Sequence, residues 1–226
     1  MIKAISFDFY GTLVDWLPIW VEASNHIVNK TSLAVQPDIF ALEWRKIQRE
    51  ILNEKEFIPY KENISSALDL LCNKYKIKNN NYDKILFSKW KDIKPFPEVI
   101  PVLNKLKSKY KLSICTNSSR DLFERCMEKI PVKFDSILIS DEIKVNKPHK
   151  KIYERNTQNL GFSPKNVLHI ASSQMDVRGA FNAGLTVCWV NRLSEEKLIE
   201  TPKPSYEIND LGEVLNILQS LKQQTI

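Results

Sequence analysis

Two rhythms of apolar residues alternate along this chain. The opening run Ile2-Lys3-Ala4-Ile5-Ser6-Phe7 is short and nearly continuous, as expected of a buried strand, and it ends at Asp8 and the turn residue Gly11. From about Leu17 to Trp90 the spacing turns helical. Ile19, Trp20, Ala23 and Ile27 recur on one face, then Phe40, Trp44, Ile47 and Ile51, then Ile64, Ala67, Leu68, Leu71 and Cys72. The Pro-punctuated stretch Lys94-Pro95-Phe96-Pro97 reads as a linker. Beyond it, strand-like runs at 111–115, 136–139, 166–171 and 186–190 alternate with helical patterns at 99–109, 120–129, 150–159 and 176–183. Ser118 or Ser119 is the expected cap of the helix at 120–129. Alternation of this kind predicts an α/β fold, a doubly wound parallel sheet with helices on both faces. The predicted division is an α/β core from residues 1–15 and 95–226, with residues 16–94 inserted as a helical cap over the carboxyl edge of the sheet. Clefts between such units are preferred ligand sites.

Composition narrows the picture. The chain has 226 residues, 43% apolar and 27% charged, which suits a core needing no disulfide or metal support. Its four cysteines (Cys72, Cys115, Cys126, Cys188) are scattered without a CxxC pair, pointing to a reducing cytoplasm. No 18-residue apolar stretch and no signal-peptide pattern is present, so no membrane association is expected. The net charge of +6 comes from Lys and Arg interspersed with Asp and Glu, with no basic block interleaved with aromatics. Nucleic acid is therefore not an expected partner, whereas a small anionic substrate suits such a surface.

Four strand ends or following turns carry polar groups. Asp8 closes the first strand between two aromatics, where a carboxylate is costly to bury without a partner. Thr116-Asn117-Ser118-Ser119 closes the second and opens a helix, whose free N–H groups and dipole bind carboxylates. Lys147-Pro148 follows the third, and Ala171-Ser172-Ser173-Gln174-Met175-Asp176 the fourth. Each also has an ordinary use: a turn former, a helix cap, a surface Lys-Pro turn. In open α/β sheets, however, ligands bind at the strand ends.

Taken together these segments resemble the haloacid dehalogenase superfamily, and most of all its type II (S)-2-haloacid dehalogenases. Asp8-Phe9-Tyr10-Gly11-Thr12-Leu13 is similar to the first motif, Asp-x-Asp-Gly-Thr, whose first Asp is a nucleophile. The superfamily's phosphatases have a second Asp at the place of Tyr10, which protonates the leaving alkoxide; halide leaves as a stable anion and needs no proton. Thr116-Asn117 resembles the second motif, implying a hydroxyl on the substrate carboxylate and an Asn amide toward the halide. Lys147 resembles the lysine of the third motif, with Tyr153 six residues on. The fourth run has Ser172 where phosphatases have a Mg²⁺-binding Asp, and hard cations need anionic oxygens. In the cap, Trp44-Arg45 resembles the pair whose Arg reaches the halide, while Tyr60 and Met175 align with pocket residues. Three positions depart from the pattern: Ala171 for Ser and Ser173 for Asn, which bear on the hydrolytic water, and Arg49 for Leu, which bears on the alkyl pocket.

The resemblance implies a Rossmann-like core and a hydrolase of small (S)-2-haloacids that uses no metal or cofactor. Its catalytic set would be Asp8, Lys147, Asp176, Thr116, Asn117 and Arg45, with Tyr10, Tyr60, Ser118, Tyr153, Ser172, Ser173 and Met175 contacting substrate. It also implies a possible homodimer. Two alternatives stay open at this point: a phosphatase with a weakened Mg²⁺ site, and a binding protein on the same scaffold. His169 reads as a core or edge histidine without a role, and His26 and His149 carry no signal.

Overall fold

The computed structural model describes residues 1–53 and 56–223. Its core is a six-stranded, all-parallel sheet in the order β5-β4-β1-β6-β7-β8, formed by β1 (Ala4–Phe7), β4 (Lys111–Thr116), β5 (Ser136–Ile139), β6 (Val167–Ala171), β7 (Thr186–Val190) and β8 (Tyr206–Ile208). β1 lies mid-sheet with every residue buried, which explains its nearly unbroken apolar run. The chain winds outward to β4 and β5 on one side of β1, then crosses to β6 on the other. That reversal is the topological switch point of a doubly wound sheet, and it places the residue after β1 in the binding crevice. The intervening helices include α5 (Val99–Lys107), α6 (Arg120–Met127), the single turn α7 (Ser140–Ile143), α8 (Lys150–Leu160) and α9 (Gln174–Asn182).

Among the described residues, the segment from 16 to 93 holds four α-helices: α1 (Leu17–Thr31), α2 (Pro37–Leu52), α3 (Tyr60–Lys74) and α4 (Asp83–Lys89). Their apolar faces pack on one another through the buried Trp20, Phe40, Trp44, Ile64 and Leu68. Here the structure corrects one expectation. Lys94-Pro95 is not a bare linker: as β3 (Lys94–Pro95) it pairs antiparallel with β2 (Val14–Asp15), Val14 facing Pro95 and Asp15 facing Lys94. The helical insert therefore enters and leaves through one two-stranded ribbon. Pro95 lies on an edge, where a missing N–H is tolerated.

Two elements outside the expected spans are β8, only three residues long after a polar, Pro-containing stretch, and α10 (Val214–Gln223), whose Val214, Leu215, Leu218 and Leu221 do recur at helical spacing. The expected cap of α6 is Ser119, but its hydroxyl bonds to the Asp121 carboxylate at 2.8 Å rather than to the helix backbone. Among the described residues no helix is long and apolar enough to cross a membrane.

Candidate active site

Asp8 is the first residue past β1, and its own N–H bonds to the Ile170 carbonyl of β6 at 2.9 Å, which fixes its backbone at the switch point. Gly11, at φ +85°, turns the chain back under the helices. A Cβ there would lie 2.7 Å from the Ser172 hydroxyl, so only glycine fits. The turn brings Thr12 round so that its hydroxyl donates to Asp8 Oδ2 (3.2 Å) and accepts from the Ser172 N–H (2.9 Å). The β1 and β6 turns are thereby locked together.

Asp8 Oδ1 accepts from Lys147 Nζ at 2.5 Å, and the same ammonium bonds to Asp176 Oδ2. All three groups are buried, with Lys147 only 3% exposed. Lys147 comes from the loop before α8 and Asp176 from the first turn of α9. Gly179 lets those elements close up, since a Cβ there would sit 2.8 Å from the Pro148 carbonyl oxygen. The result is a carboxylate–ammonium–carboxylate bridge. Burial opposes the charge on Lys147, but Asp176 and Asp8 outweigh it and hold the amine above its usual range. Burial likewise opposes charge on Asp176, but Lys147 and His169 outweigh it and hold that carboxyl well below the usual carboxylate range.

His169 is the residue the sequence reading missed. Asn156 Nδ2 donates to Ser6 Oγ (2.8 Å), Ser6 pairs with His169 Nδ1 (3.0 Å), and His169 Nε2 pairs with Asp176 Oδ1 (3.1 Å). The Asp176 carboxylate can only accept, so the Nε2–H donates to it, and Ser6 Oγ, which accepts from Asn156, pairs with Nδ1. A histidine amid a β-strand's apolar residues was the available signal. Its partners lie far away in sequence, which hid them. Replacing it by Leu is expected to cost about 1–3 kcal/mol in urea unfolding, the range for stranding a buried polar partner. A loss of only a few tenths would mean that the chain from Asn156 to Asp176 carries no strain when cut.

The remaining predicted residues fall into two groups. Tyr10, Arg45, Ser172 and Ser173 line a cavity of about 330 Å³ between α2 and the strand ends. Arg45 lies over Trp16 (5.2 Å) and Trp20 (5.7 Å) and donates to Gln48, while its neighbour Trp44 anchors α2 by donating to the Ile64 carbonyl at 2.9 Å. Ser173 Oγ is buried without a hydrogen-bond partner among the described residues.

The second group does not line the cavity. Tyr153 stands beside Asp176: its ring is fully buried and its hydroxyl donates to Oδ1 at 2.6 Å. The Asn117 amide donates to the Lys147 carbonyl (3.1 Å) and its oxygen accepts from the Lys147 N–H (2.8 Å), so it clamps the lysine loop. Thr116 is fully buried, with its hydroxyl 3.5 Å from the Asn117 carbonyl. Ser118 bonds to the Tyr10 hydroxyl at 3.0 Å, which also accepts from Trp90 Nε1 at 3.1 Å. Tyr60 stacks on Tyr10, and Met175 is half-buried on α9. Burial pushes the Tyr10 phenol well above its usual range, so it stays neutral and serves to join core and insert.

The donor set does not fit Mg²⁺. Tyr10 and Ser172 stand where carboxylates would be needed, and the two remaining carboxylates are already bridged by an ammonium. Among the described residues no three His, Cys, Asp or Glu side chains converge.

Fold and site together define a doubly wound α/β protein with a buried carboxylate pair around a lysine, covered by a helical insert. The chain belongs to the haloacid dehalogenase-like hydrolases, whose family model matches residues 5–190. Haloacetate dehalogenase H-2 of Moraxella sp. (strain B) is 30% identical over 219 residues, spanning 92% of this chain and 95% of that protein. (S)-2-haloacid dehalogenase 2 of Pseudomonas sp. (strain CBS-3) is 27% identical, spanning 96% of each. The fold matches L-2-haloacid dehalogenase of Xanthobacter autotrophicus, solved with chloropropionic acid covalently bound, at a TM-score of 0.81 and 21% identity over 97% of this chain and 99% of that one.

Proposed function

We propose that this protein hydrolyses the carbon–halogen bond of small (S)-2-haloacids, giving 2-hydroxyacids through an ester on Asp8. The observation that carries this is the Lys147 bridge: it sets an ammonium against the buried Asp8 side chain at the switch point, while the positions for a proton donor and a metal ligand hold Tyr10 and Ser172. The named activities of the relatives from Moraxella and Pseudomonas support the same chemistry.

In the first step Asp8 attacks C2 from the side opposite the halogen. The C–O bond forms as the carbon–halogen bond breaks, and halide departs with the electron pair toward Arg45. In the second step water attacks the carbonyl carbon of the Asp8 ester. The bond from that carbonyl to the substrate oxygen breaks, the substrate leaves as an alcohol, and Asp8 returns as a carboxylate. One halide and one proton are released per turnover, and C2 is inverted once. Asp176 accepts from Lys147, Tyr153 and His169, leaving room for about one more donor, the hydrolytic water. The unpartnered Ser173 hydroxyl is a second holder for that water. Asn117, Tyr153 and Thr12 act by positioning Lys147, Asp176 and Asp8. Residues 16–94 serve as the cap that keeps bulk water from the ester. The four cysteines, all free and buried, suit work in a reducing cytoplasm.

The experiment is halide release from both enantiomers of 2-chloropropionate, run beside p-nitrophenyl phosphate hydrolysis, each with Mg²⁺ and with EDTA. Chloride from the (S) enantiomer that survives EDTA, with negligible phosphate release, is expected. Mg²⁺-dependent phosphate release without chloride would replace the proposal by a phosphatase. Arg45→Ala is expected to raise the barrier of the displacement step by about 2–4 kcal/mol, the size for losing one charge-stabilising donor. An unchanged single-turnover rate would make Arg45 a structural cation only.

A further inference from the structure

The cavity contains a second cation that the proposed reaction leaves unused. Arg45 and Arg49 stand one turn apart on α2 and both line it. The Nε of each is buried without a hydrogen-bond partner, and among the described residues neither guanidinium has a carboxylate within ion-pairing distance. Arg192, the third arginine of the cavity, also has an unpartnered Nε but, unlike them, has a counter-ion: it pairs with Glu98 at 2.6 Å, donates to the Thr12 carbonyl and lies 3.8 Å from the Phe96 ring centre. Burial, and then the like charge of Arg45, lower Arg49 to about 10, while the charges of Glu195 and Asp8 act the other way through space. Glu195 lines the same cavity but makes no direct pair with Arg49.

Two adjacent guanidinium groups, largely withdrawn from water and without a directly paired carboxylate, are a costly arrangement that an anion between them would relieve. In the proposed reaction Arg45 receives the departing halide. The single carboxylate of a 2-haloacid is placed on the opposite side of the site, toward the N-terminus of α6 that Ser119 opens without a side-chain cap. Arg49 is then left facing the remaining substituent on C2. A methyl group there would keep its charge uncompensated, whereas an anionic substituent would answer it.

We propose that Arg49 selects substrates with a second carboxylate, so that short 2-halodicarboxylates are preferred over 2-halomonocarboxylates. The inference rests on the dehalogenase reading for its chemistry at C2, which is unchanged, but it assigns the substrate class.

The test uses two readouts. In steady-state halide release, (S)-2-chlorosuccinate is expected to exceed (S)-2-chloropropionate in kcat/KM by at least about ten-fold, and Arg49→Leu to reverse that ratio. Arg49→Lys, which keeps the charge, should retain part of the preference. In calorimetry without turnover, (R)-malate is expected to bind at least about ten-fold more tightly than (R)-lactate, with Arg49→Leu removing the difference. Equal binding of the two hydroxyacids, or a preference that Arg49→Leu leaves intact, would overturn the proposal. If no haloacid yields halide while malate still binds through Arg49, the dehalogenase reading fails and the dicarboxylate site stands.

Discussion

Asp8→Asn is expected to abolish halide release, lowering the single-turnover rate by at least about 10⁴-fold, the scale on which loss of a covalent nucleophile is felt. The fold should survive. An Asn side chain has nearly the same shape, its oxygen still accepts from Lys147 or Thr12, and Lys147 keeps Asp176 as a counter-ion. Quench-flow chloride measurements, set beside the thermal midpoint of the same preparation, separate the two effects. Residual turnover within ten-fold of the parent, in a folded protein, would remove Asp8 from the reaction.

Lys147→Met should strike stability as well as activity. It leaves two buried carboxylates facing each other without the ammonium between them, and breaking a buried pair in this way costs about 3–5 kcal/mol. The pH dependence follows from Asp176. Its folded carboxyl is held below the unfolded value, so its contribution to stability is fully present above about pH 4 and is lost as pH falls through the depressed folded value. Lys147 is held above its unfolded value, so its contribution is present below about pH 10 and fades only as the solution becomes more alkaline still. Without the lysine, burial of Asp176 is offset by His169 and Tyr153 alone. Its carboxyl pKa rises, and the acid loss of stability should begin at higher pH. Urea unfolding from neutral pH down through the carboxylate range checks this. An unfolding free energy and acid midpoint equal to those of the parent would show that the bridge contributes nothing.

Much of this architecture was legible because it depends on period and local chemistry. β1, β4, β5, β6 and β7 lie within two residues of their expected spans, since buried parallel strands read as unbroken apolar runs. Asp8 stood out as an acid at the very end of a buried strand, whereas Lys147 and Asp176 were marked by the resemblance of their segments to the family's motifs. What stayed hidden depends on distance. β3 is two residues of a Pro-rich stretch made a strand only by Val14 and Asp15, some eighty positions earlier. The role of His169 is set by Ser6 and Asn156, and that of Asn117 by the Lys147 backbone, pairings that exist only once the sheet is assembled. Tyr153 was singled out by the resemblance of its segment to the third motif. Its side chain points at Asp176, a direction that spacing alone does not encode.

A single turnover in ¹⁸O-labelled water, with enzyme in excess over (S)-2-chloropropionate, tests the ester on Asp8 most directly. Water attacking the ester carbonyl must leave its oxygen on the enzyme. The peptide containing Asp8 is therefore expected to gain one ¹⁸O, while the lactate of that first turnover carries ¹⁶O from the original carboxylate. Label found in the lactate, with none in the Asp8 peptide, would show that water attacks C2 directly and would contradict covalent catalysis by Asp8.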